Sequence, residues 1–124
     1  MATEIYNFTV KRGDSFRQKI NVYLDDIPVD ITGWTIYFTV KKQKIDTDDK
    51  AVIKKNITEH IDPTKGESML LVLPDETKNL LGSYYYDLQI KRPVSQPGQY
   101  DDIQTPLEGI IIFTEDITIR TNNE

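Results

Sequence analysis

The stretch LLGSYYYDLQIK, residues 80–91, is the part of this sequence that decides the fold. After Gly82 its side chains alternate with the two-residue period of a β-strand. One face of that strand carries Tyr84, Tyr86, Leu88 and Ile90. The other face carries Tyr85, Asp87, Gln89 and Lys91. Because the second set is mainly polar, we predict that the first set packs into a core and that Tyr85 points outward.

The same stretch has the spacing of a tyrosine corner, as found in immunoglobulin-like sandwiches, through Leu80, Gly82, Tyr84 and Tyr86. Tyr86 then stands where an antibody domain carries its second cysteine. In such a corner the Tyr84 hydroxyl bonds to backbone upstream, so that a buried phenol keeps a partner. We predict that both tyrosines are architectural, that Gly82 frees the start of their strand, and that Trp34 fills the centre of the same core.

Other segments repeat the alternation. TIYFTVKK (35–42) places Ile36, Phe38 and Val40 on one face. Segments of the same kind cover residues 6–10 and 16–24. ESMLLVL (67–73) and EGIIIF (108–113) indicate strands that are nearly buried on both faces. The one helical signal is PDETKNLL (74–81), which is about two turns long.

These segments predict an all-β protein, an immunoglobulin-like antiparallel β-sandwich with about 7–9 strands and one short helical turn. The 124 residues suffice for one core, so we predict a single domain over residues 1–124. A net charge of -5 speaks against a nucleic-acid partner, because phosphate binding needs a basic face. No apolar stretch is long enough to cross a bilayer, and the first residues lack the pattern of a signal peptide.

Signals for catalysis or metal binding are weak. The chain has no cysteine and one histidine, His60, so a zinc site would depend on carboxylates, which is uncommon. DTDD (46–49) has calcium-like spacing but lacks the glycine and terminal glutamate of an EF-hand, although Asp101 and Asp102 would contribute if the loops met. We predict a protein that is not an enzyme and needs no metal or cofactor. A carboxylate-pair enzyme such as a glycosidase is the remaining catalytic alternative.

One ordered constellation is more specific than a generic sandwich. It comprises FTVKRGDSF (8–16), PVDITGWTIYFTVKK (28–42), IDTDDKAVIKK (45–55), GSYYYDLQIK (82–91) and TPLEGIIIFTEDIT (105–118). Its order resembles the N-terminal domain of the baseplate upper protein family of tailed bacteriophages. The matching residues are Gly13, Asp14, Asp30, Ile31, Thr32, Gly33, Gly82, Tyr84, Tyr86, Asp87, Leu88, Gly109, Asp116, Ile117 and Thr118. Their roles are structural: Asp30 or Thr32 bonds backbone in a bend, and Gly33 supports the turn.

The resemblance implies a non-enzymatic structural module of a phage tail or baseplate, located in the virion and made in the host cytoplasm. Its partners would be other tail or baseplate proteins, and a homo-oligomer is a further arrangement. Members of this family often continue into a linker helix and a receptor-facing part, whereas this chain ends soon after the last motif. We therefore expect either a stand-alone adaptor or a fragment of a longer design.

Docking is expected through sheet edges and loops, because the unpaired backbone of an edge strand is a template for a partner. The expected elements are the N-terminal strand (5–10), a long loop rich in Pro and Gly (93–106) and a C-terminal strand (114–120). Tyr85 and Tyr100 are the expected aromatic anchors, with Tyr6 and Phe8 on the N-terminal strand. The alternative function is a carbohydrate-binding β-sandwich that assists host-surface recognition, with Tyr85 and Tyr100 stacking on sugars and acidic loops binding hydroxyls, with or without calcium.

Overall fold

The computed structural model of the protein describes residues 4–93 and 102–117. Over these residues the chain forms strands β1 to β10 and one short helix, α1. The bounds are Glu4–Ile5 (β1), Phe8–Lys11 (β2), Phe16–Asn21 (β3), Tyr23–Leu24 (β4), Ile27–Pro28 (β5), Thr35–Lys41 (β6), Ile53–Ile57 (β7), Glu67–Val72 (β8), Pro74–Thr77 (α1), Gly82–Arg92 (β9) and Asp102–Thr114 (β10). Short 3-10 turns lie at Asp48–Lys50 and Pro63–Lys65.

The larger of two sheets has the strand order β1–β10–β9–β6–β7, and β2 continues along the same edge of β10 as β1. β1 and β2 run parallel to β10, whereas the other pairs are antiparallel. Within the described residues the second sheet consists of β3 and β8, and β4 and β5 form a hairpin. The predicted all-β class is confirmed, with open sheets and no closed barrel.

The inward side chains of the two sheets meet in one core. They include Ile36, Phe38 and Val40 on β6, Leu70 and Val72 on β8, and Tyr84, Tyr86, Leu88 and Ile90 on β9. Phe16 of β3 lies against Phe38 of β6, with ring centroids 6.4 Å apart, so this aromatic pair joins the sheets. The alternation of residues 80–91 therefore places the core on the predicted face.

Trp34 lies at the rim of this core and does not fill its centre. It is half-buried and stands in the turn before β6, where its N–H donates to the Ile31 carbonyl at 3.0 Å. Phe38 occupies the central position because it lies in the middle of its strand and is only 1% exposed. The expected bend before Trp34 is present: Asp30 Oδ1 accepts hydrogen bonds from the Thr32 N–H and hydroxyl, and Gly33 has φ +82°.

The two segments predicted to be buried on both faces are buried on one. Leu71 of β8 and Ile112 of β10 are each 37% exposed, because no other layer of the described residues covers the outer faces of the sheets. The helical segment is also shorter than predicted: α1 has four residues, and its last residue, Thr77, is fully buried. The Thr77 hydroxyl accepts a hydrogen bond of 2.8 Å from the Gly13 N–H, which ties the turn after β2 to α1.

Candidate docking surface

The outer face of the larger sheet is the side that points away from the core. Its central cross-strand row, read from β7 to β1, is Lys54, Thr39, Asp87, Glu108 and Ile5. Each of these residues alternates along its strand with side chains that face inward. Tyr85 and Ile110 form the next row, which is where apolar side chains gather on this face. Polar and apolar groups therefore share one surface at the β10 side of the sheet.

A shallow groove of about 510 Å³ follows this part of the outer face. Apolar walls come from Ile5, Tyr85 and Ile110, and the carboxylates of Asp87 and Glu108 lie between them. Both acidic residues are partly buried, although each belongs to the outward set of its strand. The groove exists because β1 stands beside β10 at this point and adds Ile5 as a wall.

Burial raises the pKa of the Asp87 carboxyl above its ordinary value of 3.8. Lys41 opposes this shift, whereas the negative charges of Asp48 and Glu108 add to it. Lys41 is itself engaged elsewhere: its Nζ lies 2.8 Å from Asp48 Oδ1 and donates to the Asp46 carbonyl at 2.8 Å. In the described part of the chain, neither Asp87 nor Glu108 forms an ion pair. Within the described residues these two neighbouring carboxylates therefore have no ion-pair partner, although Lys41 and Lys44 also line the groove.

Tyr85 points outward, as the alternation predicts, and is 38% exposed. The Lys44 ammonium lies 5.3 Å from the centroid of its ring, a cation–π arrangement that covers one face of the ring. Tyr84 and Tyr86, on the opposite side of the strand, are buried. The three tyrosines thus divide between core and surface as β-strand geometry requires.

The Tyr86 hydroxyl donates a hydrogen bond to the Tyr6 carbonyl. The tyrosine-corner spacing predicts such a phenol-to-backbone bond for Tyr84, whereas the structure has it at Tyr86, with the N-terminal segment as partner. Nearby, the Tyr6 N–H donates to the Glu108 carbonyl and the Ile110 N–H donates to Asn7 Oδ1, both at 3.0 Å. These bonds hold the break between β1 and β2 against β10, and thereby hold Ile5 at the groove.

We expect Tyr86→Phe to lower the free energy of unfolding by about 0.5–1.5 kcal/mol, because the Tyr6 carbonyl loses its donor while the ring stays packed. Urea denaturation would measure the loss, and amide hydrogen exchange should report faster opening of residues 5–8. The matched control is Tyr85→Phe, whose hydroxyl is on the outer face. Equal destabilisation by both substitutions would contradict the assignment of this bond.

Gly109 lies on β10 where the N-terminal segment crosses it. A Cβ at this position would stand 2.1 Å from the Tyr6 carbonyl oxygen and 2.9 Å from Asn7 Oδ1. Only glycine therefore permits this close approach of two backbones. The glycine in the motif around residue 109 is therefore required for steric reasons, which the sequence alone did not show.

The other predicted contact residues are distributed unevenly. Tyr6 is 57% exposed and packs against half-buried Phe8, whose ring also contacts Phe16 and Tyr86. Phe8 thus belongs mainly to the core. Tyr100 lies outside the described residues. Of the predicted loop 93–106, residues 94–101 also lie outside them, whereas 102–106 belong to β10.

The predicted C-terminal strand 114–120 is not formed where the structure describes it. β10 ends at Thr114, residues 115–117 are not in a strand, and 118–120 lie outside the described residues. Asp116 instead accepts a 2.8 Å hydrogen bond from Arg12 Nε, which lowers the pKa of its carboxyl. The chain is thus held at this point by an ion pair.

Of the residues considered for metal binding, Asp101 lies outside the described residues, and the following ones have structural partners. His60 bridges two segments through contacts of 2.8 Å from Nδ1 to Ser68 Oγ and from Nε2 to the Trp34 carbonyl oxygen. In the DTDD segment, Asp48 pairs with Lys41 and Asp49 accepts a hydrogen bond from Thr47. Residues 4–93 and 102–117 contain no group of three or more His, Cys, Asp or Glu side chains that could hold a metal ion.

Sequence reasoning did not single out Glu108 or the role of Asp87 on the outer face. An outward acidic residue amid aromatic and apolar neighbours was a signal in both cases. Their juxtaposition depends on the pairing of β9 with β10, which places residues 21 positions apart in sequence opposite each other.

The fold and this surface define a sandwich-like, all-β domain whose accessible features are sheet faces and edges. The family model of the BppU N-terminal domain matches residues 2–105. The chain belongs to this family, that of the phage baseplate upper protein, as the order of its motifs predicts. It is accordingly a structural protein of a phage baseplate, placed in the tail of the virion.

A search of curated proteins finds no match to the chain. No helix in the described ranges combines the length and apolar character needed to cross a membrane.

Proposed function

We propose that this domain is a non-enzymatic assembly module that docks to other tail or baseplate proteins through its outer face and the adjoining β1 edge. The observation that carries the proposal is the outer face itself, where exposed apolar side chains lie along β10 on either side of Glu108 and beside it on β1. Ile5 is 76% exposed, Ile103 is 55% exposed and Ile112 is 37% exposed. Apolar groups gathered on one face and rimmed by polar residues are typical of a protein interaction site.

The immunoglobulin-like form of the sandwich is part of this proposal. Three features support it: β1 and β2 run parallel to the last strand, the short helix α1 precedes the tyrosine strand, and β3 faces β6 across the core. In this arrangement the outer face is the broad side of the larger sheet.

Docking by the face is favoured over strand addition at the far edge of the sheet. That edge is β7, which carries Lys54 and Lys55. Lysine on an edge strand discourages pairing with another strand. Lys55 is further engaged in an ion pair with Glu76. Of the two edges of the larger sheet, the β1 side is therefore the one available to a partner.

A second copy of the chain is another partner that the same face could accept, and sedimentation velocity distinguishes self-association from docking to a different protein. The carbohydrate-binding alternative has less support, because Lys44 covers one face of the Tyr85 ring that would stack on a sugar. Docking to a protein is therefore the better-supported function.

The test pairs two substitutions of equal exposure on opposite sides of the molecule. Each structural tail protein encoded beside this chain would be purified and titrated against it by calorimetry. We expect Ile112→Ser, on the outer face, to weaken the complex roughly 10-fold, and Leu71→Ser, on the second sheet, to leave affinity unchanged. Binding by none of the tail proteins, or an equal loss from Leu71→Ser, would overturn the proposal.

A further inference from the structure

We infer that the protein covering the outer face presents an arginine or lysine side chain that lies between Asp87 and Glu108. This inference rests on the proposed docking function and adds the chemistry of the partner. It makes a specific pair of carboxylates, and not apolar contact alone, the feature that selects which protein can bind.

The two carboxylates are direct cross-strand neighbours, Asp87 on β9 and Glu108 on β10. Like charges directly opposite each other on a sheet are destabilising. The charge of Lys41 opposes the raised pKa of Asp87, but the Lys41 ammonium forms its ion pair with Asp48, at 2.8 Å. Among the described residues, neither Asp87 nor Glu108 therefore has an ion-pair partner of its own.

Docking would also change the solvation of Asp87 and Glu108. A partner that covers the apolar side chains of Ile5 and Ile110 must also remove the intervening carboxylates from water. Burying two unneutralised charges is strongly unfavourable, and a hydrogen-bonded cation offsets much of that cost. A guanidinium suits the site best, because its planar fork can bond to two carboxylates at once. Charge complementarity therefore favours a partner that places a basic group on this face.

The pair also provides a means of rejecting wrong partners. An apolar or acidic surface placed on the groove leaves Asp87 and Glu108 buried without a cation, which penalises that complex. Such a penalty separates partners of similar shape and apolar area. The groove can thus be specific even though it is shallow.

The test uses Asp87→Asn, Glu108→Gln and the double variant in the full chain, titrated against the tail protein that binds in the experiment above. We expect each single substitution to weaken binding roughly 10- to 100-fold, because the partner's cation loses its counter-charge. The control is Asp75→Asn on α1, whose side chain is 90% exposed and does not line the groove. Its affinity should equal that of the wild type.

The stability of Asp87→Asn distinguishes a role in binding from a role in holding the fold together. Because the folded-state pKa of Asp87 is raised, its ionised form is less favourable in the folded protein than in the unfolded chain. Below pH 3.8 the Asp87 carboxyl is protonated in both states and does not lower the free energy of unfolding. As pH rises through the folded-state pKa, the carboxyl ionises in the folded protein and the free energy of unfolding falls. Asp87→Asn should therefore be more stable than the wild type at neutral pH, by a margin that disappears on acidification.

The outcomes separate this inference from the docking function. Weaker binding together with equal or greater stability supports the inference. Unchanged affinity for Asp87→Asn and Glu108→Gln, with wild-type binding intact, overturns the inference and leaves docking in place. Failure of the wild type to bind any tail protein overturns docking and, with it, the inference. Loss of folding in either variant would itself contradict the inference, because it would show that the carboxylate stabilises the domain.

Discussion

Replacing Phe38 with alanine is expected to reduce the free energy of unfolding by about 3–5 kcal/mol, a large part of the stability of a domain this size. Phe38 is 1% exposed at the middle of β6. Its ring lies 6.4 Å from that of Phe16 and 5.7 Å from that of Tyr86, measured between centroids. Removing it both loses apolar burial and opens a cavity between the two sheets, which the surrounding strands can fill only in part.

Guanidinium denaturation followed by circular dichroism would measure this loss. The control is Tyr85→Ala, which also removes an aromatic ring but from the outer face, where 38% exposure limits what is lost. We expect Tyr85→Ala to change stability by less than about 1 kcal/mol. Similar losses from the two substitutions would contradict the assignment of the core to the Phe38 face of the larger sheet.

Gly66→Ala is the second substitution with a large expected effect, a loss of about 2–5 kcal/mol. Gly66 ends the Pro63–Lys65 turn with φ +72°, a conformation that side chains disfavour. A Cβ there would also lie 2.6 Å from the backbone oxygens of both Val22 and Val29. Because both obstacles are backbone atoms, neither can rotate away, and the approach to β8 must shift.

Gly33→Ala is a matched control for the same experiment. Gly33 has φ +82°, but a Cβ there would have no atom within 4 Å. It therefore shares the conformational penalty, about 1 kcal/mol, without the collision. Thermal unfolding of the two variants isolates the steric contribution as their difference. If Gly33→Ala were as damaging as Gly66→Ala, the backbone collision would not be the cause.

The sequence determined which side of each long strand is apolar. Phe38, Tyr84 and Tyr86 face inward because alternation has a fixed period of two, and that period can be read without knowing the partner strand. Motif order likewise led to the baseplate upper protein family, now shown over residues 2–105. The turn at Asp30 and Gly33 was also predictable, because its hydrogen bonds join residues close together in the chain.

Only the tertiary structure decided how these strands meet. Register is set by the packing of distant segments, and a shift by one residue would exchange the faces of a strand. For this reason the pairing of Asp87 with Glu108, the bond from Tyr86 to Tyr6 and the close approach at Gly109 were not predictable from local pattern. The candidate docking face depends on these long-range contacts. Its residue types can be read from the sequence, but the residues come together only when β1, β9 and β10 assemble.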